Sequence, residues 1–96
     1  MIIAVFARTV RSGVSVDDFV AAWAPDTGLP YPAGVEVGID PADDRRILTI
    51  IRFDGDMRAF QAAMPRLIHP ESHQRLAELV ESTELESVYE SAAVTV

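Results

Sequence analysis

RILTIIRF, residues 46–53, decides how this chain folds. It is rich in β-branched residues, and between Ile47 and Ile51 only Thr49 is polar. A strand covered on one face alternates between apolar and polar residues; a strand covered on both faces reads as a nearly continuous apolar run. IIAVFARTV (2–10) repeats the pattern, with every position from Ile2 to Ala7 apolar. Both segments are therefore expected to be strands buried on two sides. VEVGID (35–40) alternates as a third strand, and PADD (41–44) lies between it and RILTIIRF as a turn, which makes the two an antiparallel hairpin.

The rest of the chain fills in around these strands. Arg11-Ser12-Gly13 marks a turn, and Ser15 with Asp18 three residues on reads as a helix capping box. Val16, Phe19, Val20 and Trp23 follow at helical spacing, Pro25 is expected to end that helix, and APDTGLPYPAG (24–34) reads as a loop. Asp54-Gly55-Asp56 ends the RILTIIRF strand, and Asp56 caps a short helix carrying Phe60, Ala63 and Met64, with Pro65 limiting its length. A further helix is predicted from Pro70 to Ser82, with Leu76, Leu79 and Val80 inward, and LESVYESAAVTV (85–96) as a final strand. The order is β-α-β-β-α-(α)-β in a single domain, residues 1–96. That is a ferredoxin-like α+β plan, one antiparallel sheet with its helices on one face. Something else must cover the other face, and a second copy of the chain is the simplest cover.

Composition narrows the chemistry. The 96 residues are 49% hydrophobic, high for a small domain, which again leaves apolar surface for a partner chain. There is no cysteine, so neither disulfides nor thiolate chemistry are available. All eight basic residues are arginine, which removes lysine Schiff bases. The formal charge of -7 argues against a nucleic-acid partner. MIIAVFA is too short to span a bilayer and has no basic stretch before it, so no membrane association and a cytoplasmic location are expected. The five glycines are scattered, which gives no support to a nucleotide or flavin cofactor.

LIHPESHQRL (67–76) holds both histidines. At a spacing of four, two histidines on a helix could ligate zinc. Pro70, however, favours the first helical position and pushes the residue before it out of the α region. His69 is then a cap, and no metal site is expected. His73 stands one turn into the helix, on the stripe of Leu76, Ala77 and Val80. An imidazole facing an apolar cavity could take a proton from a phenol or enol; the structural alternative is a histidine at the core's edge bonded to backbone. Four further residues are candidates for substrate binding. Trp23 could stack on a flat ring or be ordinary core. Tyr89, in phase with Leu85, Ser87 and Ser91, could orient a substrate oxygen or sit at a dimer interface. Arg52, like Arg8, interrupts an apolar strand and could meet an oxyanion or form a salt bridge. Thr49 faces away from Arg52 and lines either a cavity or an interface.

The element order, SGVSVDDFVAAW after the opening strand, IRFDGDMRAF, and PESHQRL at the helix entry together resemble the dimeric α/β-barrel superfamily, and most of all its antibiotic-biosynthesis-monooxygenase-like branch. The resemblance covers nearly the whole chain. It implies a homodimer whose sheets pack into a barrel, with a small apolar cavity between sheet and helices in each protomer. It also implies a small apolar or aromatic ligand, with a cofactor-independent monooxygenase of phenolic or quinol-type compounds as the leading activity and His73 as its base. Cyclases, isomerases and haem-degrading enzymes share the fold, as do proteins with a non-catalytic ligand-binding or stress-related role. The haem-degrading relatives use an asparagine, and this chain has none.

Overall fold

The computed structural model describes residues 1–23 and 30–95. Four strands and three helices follow in the order β1 (Ile2–Val10), α1 (Val16–Trp23), β2 (Gly34–Asp40), β3 (Asp43–Phe53), α2 (Met57–Leu67), α3 (Pro70–Leu79) and β4 (Val80–Glu90). The strands form one antiparallel sheet in the order β2-β3-β1-β4, the expected ferredoxin-like arrangement.

Local chemistry sets the helix starts. The Asp18 N–H donates to Ser15 Oγ and the Ser15 N–H donates to Asp18 Oδ2, both at 3.1 Å, which closes the capping box that opens α1. Asp56 Oδ1 accepts the Ala59 N–H at 2.8 Å at the head of α2. The turn before it needs Gly55, whose φ is +152°; a Cβ there would lie 2.8 Å from Phe53 Cε1. His69 caps α3, its Nδ1 accepting the Glu71 N–H at 3.3 Å, with Pro70 at the first helical position. Pro65 falls in the last turn of α2, where it removes the N–H that Gln61 O would accept, and the helix ends shortly after it, at the buried Leu67.

The other departures from expectation are at the C-terminal end. α3 stops at Leu79 and β4 begins at Val80, where a strand was expected only from residue 85. The Val80 N–H still caps the helix through Leu76 O while Val80 already pairs with Val10. β4 ends at Glu90, where Met1 O accepts the Ser91 N–H at 2.9 Å. β3 begins at Asp43, so only Pro41 and Ala42 remain in the hairpin turn.

Register assigns each side chain to a face. Ile2, Ala4, Phe6 and Arg8 pair with Phe53, Ile51, Thr49 and Ile47 on the helix-covered face. Two clusters form there. Under α2, Ile2, Ala4, Phe6, Ile51 and Phe53 pack with Phe60, Ala63 and Leu67. Under α1, Val10, Phe19 and Ile47 pack with Val20, Trp23, Leu76 and Val80 at their margin. The opposite face carries Ile3, Val5, Ala7, Leu48, Ile50, Leu85 and Tyr89, none of them buried. Leu48 is 39% and Tyr89 50% exposed. The chain's own helices thus cover one face of the sheet, and the second apolar face stays open.

Candidate functional site

The buried residues fall into two clusters. Beside them lies a cleft of about 400 Å³, bounded by β1, β3 and β4 on the sheet side and by α3 on the other. Phe6, Thr49 and Ile51 form its floor; Trp23, Tyr31, Leu67, Ile68 and Leu76 form its apolar walls; Arg8, Ser72, His73 and Glu86 bring polar groups to it.

Sheet register explains the floor. Arg8 and Thr49 occupy positions of the covered face where the alternation of β1 and β3 would otherwise place core residues. Thr49 is 3% exposed, and its Oγ1 is buried with no hydrogen-bond partner among the described residues. Trp23 Nε1 is likewise buried and unpartnered. A buried polar atom without a partner costs free energy, on the order of 1–3 kcal/mol. Both residues line the cleft, and both polar atoms lie beneath its surface. The Trp23 ring meets Tyr31 edge-on, with centroids 5.4 Å apart. The Tyr31 hydroxyl donates to Leu67 O at 2.8 Å, and burial pushes its pKa up to about 12. Tyr31 is therefore a fixed wall and a poor proton donor.

Arg8 lies half-buried, its guanidinium carbon 4.4 Å from the centroid of Phe6. Burial lowers its pKa, and the Glu86 carboxylate partly offsets this. Among the described residues it makes neither an ion pair nor a side-chain hydrogen bond.

α3 brings Ser72 and His73 to the cleft, and Arg75 fixes its position. Arg75 Nε donates to Ala22 O at 2.9 Å, which closes the end of α1, while its Nη2 donates to the buried Ser72 Oγ at 3.2 Å. His73 lines the cleft from its solvent side; it is exposed, and its backbone N–H donates to His69 O at 3.1 Å. The two histidines thus divide their roles, one capping the helix and the other facing the cleft. No group of three or more His, Asp or Glu side chains among the described residues could hold a metal ion.

Of the candidate residues, the structure brings His73, Trp23 and Thr49 to one cleft. It does not bring Arg52 or Tyr89 there. Both pair with Ile3 across the sheet and project from the open face, where Arg52 Nη1 meets Glu36 Oε1 at 3.1 Å. Arg8, the other arginine that interrupts an apolar strand, does reach the cleft. Tyr31 is the cleft residue that spacing did not single out, although it is the one aromatic residue in the Pro/Gly-rich loop.

No protein-family model matches the chain, and no curated protein matches its sequence. Solved structures do match in three dimensions. A proposed antibiotic biosynthesis monooxygenase from Chloroflexus aurantiacus superposes with a TM-score of 0.72 at 12% identity, over 98% of this chain and 95% of that one. A second, from Deinococcus radiodurans, gives 0.70 at 14% identity, over 100% and 98%. A dimeric protein of unknown function and ferredoxin-like fold from Bacteroides fragilis gives 0.56 at 22% identity, over 94% and 95%. Among the described residues no helix is long and apolar enough to cross a membrane. The chain has, end to end, the ferredoxin-like fold found in these antibiotic biosynthesis monooxygenase-like proteins.

Proposed function

We propose that the chain is a small-molecule enzyme, a cofactor-independent monooxygenase of phenolic or quinol-type aromatic compounds that works as a homodimer. One observation carries the reading. A cleft walled by aromatic and aliphatic side chains, with Trp23 and Thr49 lining it, has the imidazole of His73 at its edge. Such a cleft suits a flat ring whose oxygen lies towards His73. The open apolar face of the sheet supports the dimer, since a second copy would cover it.

In the reaction proposed, His73 takes the phenolic proton and the electron-rich anion passes one electron to dioxygen. The two radicals join at a ring carbon that carries hydrogen, giving a hydroperoxide. Loss of water leaves a carbonyl, so one oxygen atom enters the product and the other leaves as water. All the electrons come from the substrate. A positioned base contributes on the order of 10²–10⁴ in rate. Oxygen uptake across a panel of naphthols and quinols tests this. His73→Ala should lose activity by about that factor, and because His73 is exposed the fold should be untouched. A loss of less than about threefold in a folded variant would remove His73 from the mechanism.

The second reading is a non-catalytic ligand-binding protein. It is favoured by the exposure of His73 and by the lack of any side-chain hydrogen bond orienting its imidazole among the described residues. Stabilisation by aromatic ligands with no oxygen uptake would select it.

A further inference from the structure

Arg8 breaks the pattern of its strand. Its neighbours in phase, Phe6 and Val10, are core, and it pairs with Ile47 on the same covered face. A cation in that position is expensive unless something pairs with it. Its guanidinium stacks on Phe6 at 4.4 Å and reaches towards Phe19 at 5.8 Å, yet no carboxylate among the described residues forms an ion pair with it. A guanidinium can give two parallel N–H groups to a planar two-oxygen acceptor at once.

The other polar atoms of the cleft point the same way. Indole Nε1 and guanidinium are donors only, and the Thr49 hydroxyl can donate. Thr49 is 3% exposed, its Oγ1 unpartnered, and it lies opposite Phe6 in the register that also places Arg8 on this face. The acceptors, Glu81 and Glu86, are exposed and solvated at the cleft's mouth. The carboxylates therefore stand at the mouth, and Arg8 is the charged group set deeper in the cleft.

We infer that the cleft selects flat aromatic carboxylates, with Arg8 gripping the carboxylate and the Trp23 and Tyr31 walls taking the ring. This rests on the aromatic-ligand reading above and names its substrate class. Glu86, whose charge faces Arg8, is the counterweight: it weakens the hold on an acid and does nothing for a neutral ring.

The test compares hydroxynaphthoic acid with its methyl ester and with naphthol, by calorimetry at one ionic strength. Quenching of Trp23 reports the same event, since it is the only tryptophan in the chain. The acid should bind about tenfold or more tighter than the ester. Arg8→Met should abolish that preference while holding ester affinity within about threefold of the parent, which also shows that the cleft still forms. Arg8→Lys, a single point charge without the fork, should keep part of the preference. Glu86→Gln should tighten the acid alone. Equal or tighter ester binding, an acid preference that survives Arg8→Met, or no binding of any of the three would overturn the inference. Oxygen uptake is read separately. An acid held through Arg8 with no uptake on any quinol refutes the monooxygenase and spares the inference; uptake without acid preference does the reverse.

Discussion

Thr49→Val tests the central feature of the site without disturbing its shape. The change swaps a hydroxyl for a methyl on a β-branched side chain, so no cavity opens and the strand propensity of β3 is kept. Thr49 is 3% exposed, and its Oγ1 has no partner. An unsatisfied buried hydroxyl costs about 1–3 kcal/mol, and the new methyl gains a little from burial beside Phe6 and Ile51. The unliganded protein should therefore become more stable by about 1 kcal/mol, which for a domain of this size raises Tm by roughly 4–8 °C. Urea unfolding at matched protein concentration measures it, and the slope should stay unchanged. A stability that is unchanged or lower would refute the reasoning. It would mean that the hydroxyl is already satisfied, for example by an ordered water.

Other perturbations probe the parts around it. Leu48→Glu places a charge on the open face of the sheet, at a residue 39% exposed in the single chain; light scattering should show monomers in place of dimers with the circular dichroism unchanged, and a persisting dimer would mean that this face is not the interface. Gly55→Ala forces a Cβ to within 2.8 Å of Phe53 Cε1 at a positive φ and should cost about 1–3 kcal/mol; a loss below about 0.5 kcal/mol in chemical denaturation would contradict the close packing of that turn. Tyr31 has a folded pKa of about 12 against an ordinary 10.0. The fold favours its neutral form, so its contribution is complete below pH 10.0 and is lost as pH rises towards about 12, because the unfolded chain ionises first. The alkaline fall in urea midpoint should be shallower in Tyr31→Phe, and an identical fall would show that burial does not hold the phenol neutral.

What the sequence revealed, it revealed through local chemistry. The Ser15–Asp18 box, the Asp56 cap and the His69-Pro70 helix start each depend on residues within four positions of one another, and each forms as its spacing implies. What stayed hidden depends on distant partners. Nothing between Leu79 and Leu85 breaks a helix, yet β4 begins at Val80 because Val10 and Thr9 are there to pair with Val80 and Ser82. Alternation put Tyr89 in phase with Leu85 and Ser87, but only the pairing of Ile3 with both Tyr89 and Arg52 tells which face that phase occupies. The bulges between Ala7 and Arg8 and between Thr9 and Val10 each shift the phase, so counting by twos along β4 puts Val80 and Glu90 on the covered face but misplaces Ser82 and Thr83 between them. Site residues on the helices were therefore easier to place than those on the strands.

The cleft itself follows from two broken rules. Arg8 and Thr49 stand where the pattern of their strands calls for large aliphatic side chains, and they stand on the same face of neighbouring strands. With Val or Ile at both positions, the cluster under α2 and the cluster under α1 would be free to merge into one core, and the cleft would close. Instead these positions hold a half-buried cation and a hydroxyl without a partner among the described residues. A chain of 96 residues has little stability to give away. It keeps two costly groups in the middle of its best-packed face, and departures of that kind concentrate at functional sites. The combination Arg8→Val with Thr49→Val should therefore raise stability by more than either change alone and abolish ligand binding. Stability that failed to rise, with binding intact, would mean that the cleft is held open by the helices and not by its floor.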